Sequence, residues 1–84
     1  MALNKQELAK LIGTFIRNVR TSKKISMEKL ANDSGISYMQ LSRIENGHIN
    51  TSIFQVYIIF KALNIPIIKL IKLFRDILLW NLKN

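Results

Sequence analysis

The side chains able to do chemistry in this chain are mostly cations. Lysine and arginine number 13 against 5 acidic residues, a formal net charge of +8, with one histidine and no cysteine. Without cysteine there can be neither a disulfide framework nor a thiolate metal site. The carboxylates Glu7, Glu28, Asp33, Glu45 and Asp76 are scattered, at no paired spacing for general acid and base work. His48 falls in an expected loop, where a solvated side chain is the ordinary case. No glycine-rich phosphate loop and no metal-ligand cluster appears. The residues therefore point to a binding protein rather than an enzyme, with no cofactor and no metal. A basic balance suits nucleic acid, an anionic membrane surface, or plain solubility, and charge alone does not choose among them.

The choice is made by the stretch from Ser26 to Gly47, which reads as two short helices joined by a tight turn. Leu30, Ala31, Ile36, Leu41 and Ile44 form its apolar set. Ser26 is an N-cap, with Ile25 stapled to Leu30, while Lys29 at the third helical position excludes a capping box. Ala31 is small, so a second helix can cross close above it. Gly35 stands where the first helix ends and a residue free to take positive φ is wanted. Ser37 and Gln40 make an S-x-x-Q capping box for the second helix, flanked by the apolar pair Ile36 and Leu41. Gly47 then stops it. Together these form a helix-turn-helix pattern over residues 26–47.

At these residues the chain resembles the phage-repressor or Cro-like (XRE-type) helix-turn-helix regulators, and their relatives among restriction–modification controller proteins. The likeness runs from Ile12-Gly13, Arg17 and Arg20 through Ile25-Ser26, Leu30-Ala31 and Ser42-Arg43-Ile44-Glu45-Asn46-Gly47. It continues in Ile49-Asn50-Thr51-Ser52 and Lys61-Ala62-Leu63-Asn64-Ile65-Pro66, so that it covers roughly residues 12–74. The resemblance implies an all-α, five-helix, lambda-repressor-like DNA-binding domain and a transcriptional regulator such as a repressor. The length of 84 residues fits one domain, 1–84. The opening MALNKQELAK lacks the charged-then-apolar design of an export signal, so a cytoplasmic protein is expected.

In such proteins the second motif helix lies in the major groove and its N-terminal half meets base edges. The resemblance thus implies Tyr38, Met39, Ser42 and Arg43 as base-contacting residues. These four share one helical side, away from Leu41 and Ile44. Arg43 is the strongest of them, since a guanidinium can donate twice to guanine O6 and N7. Arg17, Lys23, Lys24, Lys29, Ser37, Gln40 and Asn46 are the implied phosphate contacts. Arg20 and Glu45 are implied partners in a structural salt bridge, which would neutralise a carboxylate on a DNA-facing helix. Two departures stand out. Met27 occupies a place where the family usually has a phosphate-gripping glutamine, and the loop His48–Thr51 lacks the family's basic residues and proline.

The flanking elements follow from periodicity. Leu8, Leu11, Ile12, Phe15, Ile16 and Val19 recur at three and four, an amphipathic helix from about Leu8 to Ser22, with residues 1–7 expected to fray. Ser52 and Gln55 box the start of a fourth helix reaching Leu63, although its run of apolar and β-branched residues would also fit a strand. Pro66 opens a fifth helix, to about Leu82. Its apolar surface takes up roughly two thirds of the circumference, more than a monomer's surface helix needs. Apolar residues are 49% of the chain, and a mean hydropathy of +0.14 calls for a further burying surface. The fifth helix is therefore read as extended for dimerisation, over about residues 66–83. Phe60, Leu70, Phe74, Ile77, Leu78 and Trp80 are the candidate interface, with Leu70 and Phe74 the first expected to belong to the monomer core. A homodimer would set two recognition helices roughly 34 Å apart on an inverted repeat in double-stranded DNA. The alternative reading is a helix-turn-helix interaction module, such as an antitoxin, whose apolar C-terminal helix binds a second protein. No uncharged run approaches the ~20 residues of a membrane span. Lys69, Lys72, Lys83 and Trp80 would suit a membrane-surface helix, a weaker reading than dimerisation.

Overall fold

A computed structural model describes residues 4–48 and 51–83, without the side chains of Ile67 and Asn81. Ile49 and Asn50, which belong to the resemblance, lie outside the described residues, as do residues 1–3. Five α-helices follow in order: α1 Lys5–Ser22, α2 Met27–Ser34, α3 Tyr38–Glu45, α4 Ile53–Ala62 and α5 Ile67–Lys83. No strand occurs among the described residues, and none of their helices is long and apolar enough to cross a membrane.

Local chemistry fixes the helix ends. The Asn4 side chain accepts from the Glu7 amide at 2.8 Å, so α1 begins a turn earlier than its apolar periodicity predicts. The fraying expected over residues 1–7 is thereby corrected for residues 4–7; residues 1–3 lie outside the described residues. Ser26 caps α2 through the Lys29 amide, and Gly35, at φ +70°, ends it in the left-handed region that a side chain would resist. Ser52 and Gln55 form a complete capping box on α4, which settles that run as helix. At α3 only half a box forms. Ser37 Oγ accepts from the Gln40 amide at 3.0 Å, but the Gln40 side chain does not return the bond.

The core sits where these helices meet. α1 packs on α3, α2 touches both α3 and α4, and α4 carries α5. Ile16, Leu30, Leu41, Ile44, Ile59, Phe60 and Leu63 are fully buried, and the Phe15 and Phe60 rings stack with centroids 5.5 Å apart. Each such side chain contributes roughly 1.5–3 kcal/mol on burial. Phe60, at 2% exposure, and Leu70, at 7%, are thus core residues. Both are withdrawn from the candidate interface, Phe60 against expectation. Within α4 the fully apolar run divides: Val56, Ile59 and Phe60 face inward, while Ile53, Phe54 and Tyr57 are exposed.

Candidate nucleic-acid interface

α3 presents one edge to solvent because its other edge is held. Leu41 and Ile44 are inaccessible, which turns Tyr38, Met39 and Arg43 outward and leaves Ser42 half-buried between them. Two apolar side chains, Tyr38 at 54% and Met39 at 64% exposure, stand beside a guanidinium. That mixture offers apolar contact and a paired donor on one edge, the two kinds of contact that base edges accept in the major groove. Ser37 spends its oxygen capping the helix, and Gln40 lies half-buried one turn in.

The C-terminal end of α3 is seated on a stripe of α1 formed by Lys10, Gly13, Arg17 and Arg20. The stripe exists because Gly13 has no side chain. A Cβ there would run into the Ile44 carbonyl oxygen and lie 2.8 Å from that of Glu45. Backbone thus meets backbone, and the two arginines that follow reach the Glu45 carboxylate. Arg20 donates from Nε to Oε2 at 2.7 Å and from Nη2 to Oε1 at 3.0 Å, with Nη1 on the Ile25 carbonyl at 3.0 Å. Arg17 adds a longer bond from Nε to Oε1, 3.4 Å. The Glu45 side chain is 1% exposed, so a lone carboxylate there would be very costly, and the two guanidiniums offset that cost. The hydrogen bonds to Glu45 hold the Arg20 pKa above its ordinary value, against the opposing effect of burial.

Arg17 also donates from Nη2 to Asn46 Oδ1 at 2.7 Å, while Asn46 Nδ2 donates to the Ser42 carbonyl at 2.8 Å and to Ser42 Oγ at 3.4 Å. Both residues were expected on phosphate, and here they hold each other. The signal for this was the helical spacing of Arg17 from Gly13, legible only once Gly13 is known to touch α3.

The remaining expected cations are dispersed. Lys23 donates to the Leu63 carbonyl at 2.8 Å and so caps the end of α4, where a positive charge also complements the helix dipole. Lys24 is exposed in the α1–α2 turn at φ +57°. Lys29 pairs with Asp33 on the surface, 2.9 Å. Sequence reasoning passed over Lys5 and Lys10, which line a groove with Gln6, Asn46, Gly47 and His48 beside the end of α3. The Asn4–Glu7 cap, which extends α1 toward that groove, was the missed signal. Among the described residues no group of three or more histidines, cysteines or carboxylates could hold a metal.

Away from α3, the outer side of α5 exposes Ile68, Ile71, Leu78, Leu79 and Leu82, while Trp80, 47% exposed, lines a groove with Ile77 and with Glu7, Lys10 and Leu11 of α1. Phe74 and Ile77 are half-buried, and Ile71, Phe74, Leu78 and Leu79 surround a shallow apolar depression beside Arg75.

A capped α2, a left-handed glycine and a second helix with an exposed edge make up the geometry expected of a helix-turn-helix. The family model described as Helix-turn-helix matches residues 16–70, well over half of the chain. The chain belongs to the helix-turn-helix family. This makes it a DNA-binding domain of the regulator type. The matched region contains α2, α3 and α4 whole, together with the Arg17, Arg20, Glu45 and Asn46 cluster. No curated protein matched this helix-turn-helix chain.

Proposed function

We propose that the protein is a sequence-specific transcriptional regulator, a binding protein and not an enzyme, that engages an inverted-repeat operator in double-stranded DNA as a homodimer. The single observation carrying this reading is the edge formed by exposed Tyr38, Met39 and Arg43 with half-buried Ser42 between them, on a helix whose opposite edge is buried and whose Glu45 is neutralised by two arginines. Arg43 and its neighbours read bases, while Lys24 and the nearby cations hold phosphates and set register without selecting sequence. The apolar outer side of α5 supports the homodimer. Ile71, Leu78 and Leu79 are half or more exposed, a surface that a second copy would remove from water. The test is selection of bound duplexes from a randomised pool. An inverted repeat with half-site centres about one helical turn apart is the expected product. Binding of all duplexes alike would overturn the reading. Capture of a different protein by α5 in place of a second copy would favour the interaction-module alternative.

A further inference from the structure

Arg17 and Asn46 stand between α1 and the reading edge, and their chemistry has one consistent arrangement. A guanidinium has donors only, so the group Asn46 turns toward Arg17 Nη2 must be its amide oxygen. The amide nitrogen then faces Ser42, whose carbonyl can only accept, and the same nitrogen reaches Ser42 Oγ at 3.4 Å. Both ends of the amide agree. Ser42 Oγ thereby receives a hydrogen bond from inside the protein, and its hydroxyl hydrogen is donated to no described residue. A hydroxyl has one hydrogen and two lone pairs, so filling a lone pair from Asn46 leaves the hydrogen for an outside acceptor.

We propose that Arg17 and Asn46 are positioning residues that set the Ser42 hydroxyl as a hydrogen-bond donor toward the DNA bases, rather than phosphate contacts. The proposal rests on the reading that α3 lies in the major groove. Ser42 then offers its hydrogen to a base with an acceptor on its major-groove edge (purine N7, guanine O6 or thymine O4). The order of the relay is Arg17 guanidinium, Asn46 oxygen, Asn46 nitrogen, Ser42 oxygen, base acceptor. Arg17 and the Ser42 carbonyl both fix the orientation of the Asn46 amide.

The test uses the full chain and the duplexes selected from a random pool, with each base pair then varied in turn. Ser42→Ala should flatten preference at one base pair, by about tenfold. Asn46→Asp should flatten the same base pair, because a carboxylate cannot donate and Ser42 turns its hydrogen inward to it. The added negative charge also weakens binding to every duplex, but that loss is uniform and separable from preference. Arg17→Met should reduce preference at that pair as well, leaving the pair read by Arg43 unchanged. A phosphate role for Arg17 would instead weaken all sequences equally and lower the log–log salt slope by about one. That result, or Asn46→Asp keeping the full preference, overturns the relay, as does Ser42→Ala flattening no pair. Should Arg17→Met fail to fold by circular dichroism, Asn46→Asp decides, since it leaves both arginines on Glu45. A pool that yields no consensus defeats the DNA reading itself, whereas a consensus indifferent to Asn46 defeats only the relay.

Discussion

Arg20 grips Glu45 through two bonds, 2.7 and 3.0 Å, at a place where the glutamate side chain is 1% exposed and the arginine 12%. This joins the last residue of α3 to the last turn of α1, across 25 positions of sequence. At that burial the pair is more than a surface ion pair, whose worth is about 0–1 kcal/mol. Removing one partner of a buried pair leaves a charge without compensation, at a cost of about 3–5 kcal/mol.

Glu45→Ala is accordingly expected to destabilise the fold by several kcal/mol, because the largely buried Arg20 guanidinium loses its acceptor, while Arg17, 46% exposed, adds little. Urea unfolding followed by circular dichroism measures it. A midpoint equal to the parent's would refute the structural role of the pair.

Gly13→Ala should destabilise although alanine is the better helix former by about 1 kcal/mol. The added methyl would press on the Ile44 and Glu45 carbonyls, both backbone atoms that cannot rotate away. Overpacking of this kind costs about 1–3 kcal/mol and here includes a shift of α3 against α1. Lower stability with weakened DNA binding is the expected pair of readouts, and a net gain in stability would contradict the close packing.

Substitutions on α4 and α5 should separate core from outer surface. Phe60→Ala opens a cavity under the Phe15 ring and should cost about 3–5 kcal/mol. Leu78→Glu, at a position 63% exposed, should leave the monomer's fold intact and halve the mass seen by light scattering. Trp80→Glu should act in the same direction. An unchanged mass in both variants would remove α5 as the joining surface.

Arg43→Ala should relax preference at one base pair by about 1–3 kcal/mol while barely changing the salt dependence. Lys24→Ala should do the reverse, weakening every sequence alike and reducing the salt slope by about one phosphate's worth, near 0.9. Filter binding across a salt series with matched and mismatched duplexes distinguishes the two.

The helices were legible because their ends carry chemistry that acts locally: Ser26, Ser52, Gly35 and Pro66 each determine the backbone within a few residues. The start of α1 was missed because its cap, Asn4 with Glu7, lies in a polar segment without apolar periodicity. Phe60 was misplaced for a different reason. The run Ile53–Phe60 is apolar almost throughout, so it contains no internal contrast from which inward and outward sides could be told. Gly13 marks a cost within a helix, but only the tertiary structure shows that the space belongs to the Ile44 and Glu45 carbonyls. The roles of Arg17 and Lys23 were hidden in the same way, since their acceptors, Asn46 and the Leu63 carbonyl, lie 29 and 40 positions away.

The bond from Lys23 to Leu63 has a mechanical consequence. It ties the corner after α1 to the corner before α5, where Asn64 at φ +58° and Pro66 already restrict the backbone. The turn from which α5 departs is thereby tied to the end of α1. In the proposed homodimer, the distance between the two reading heads would then be set partly by this tie, and one base pair inserted between half-sites should weaken binding.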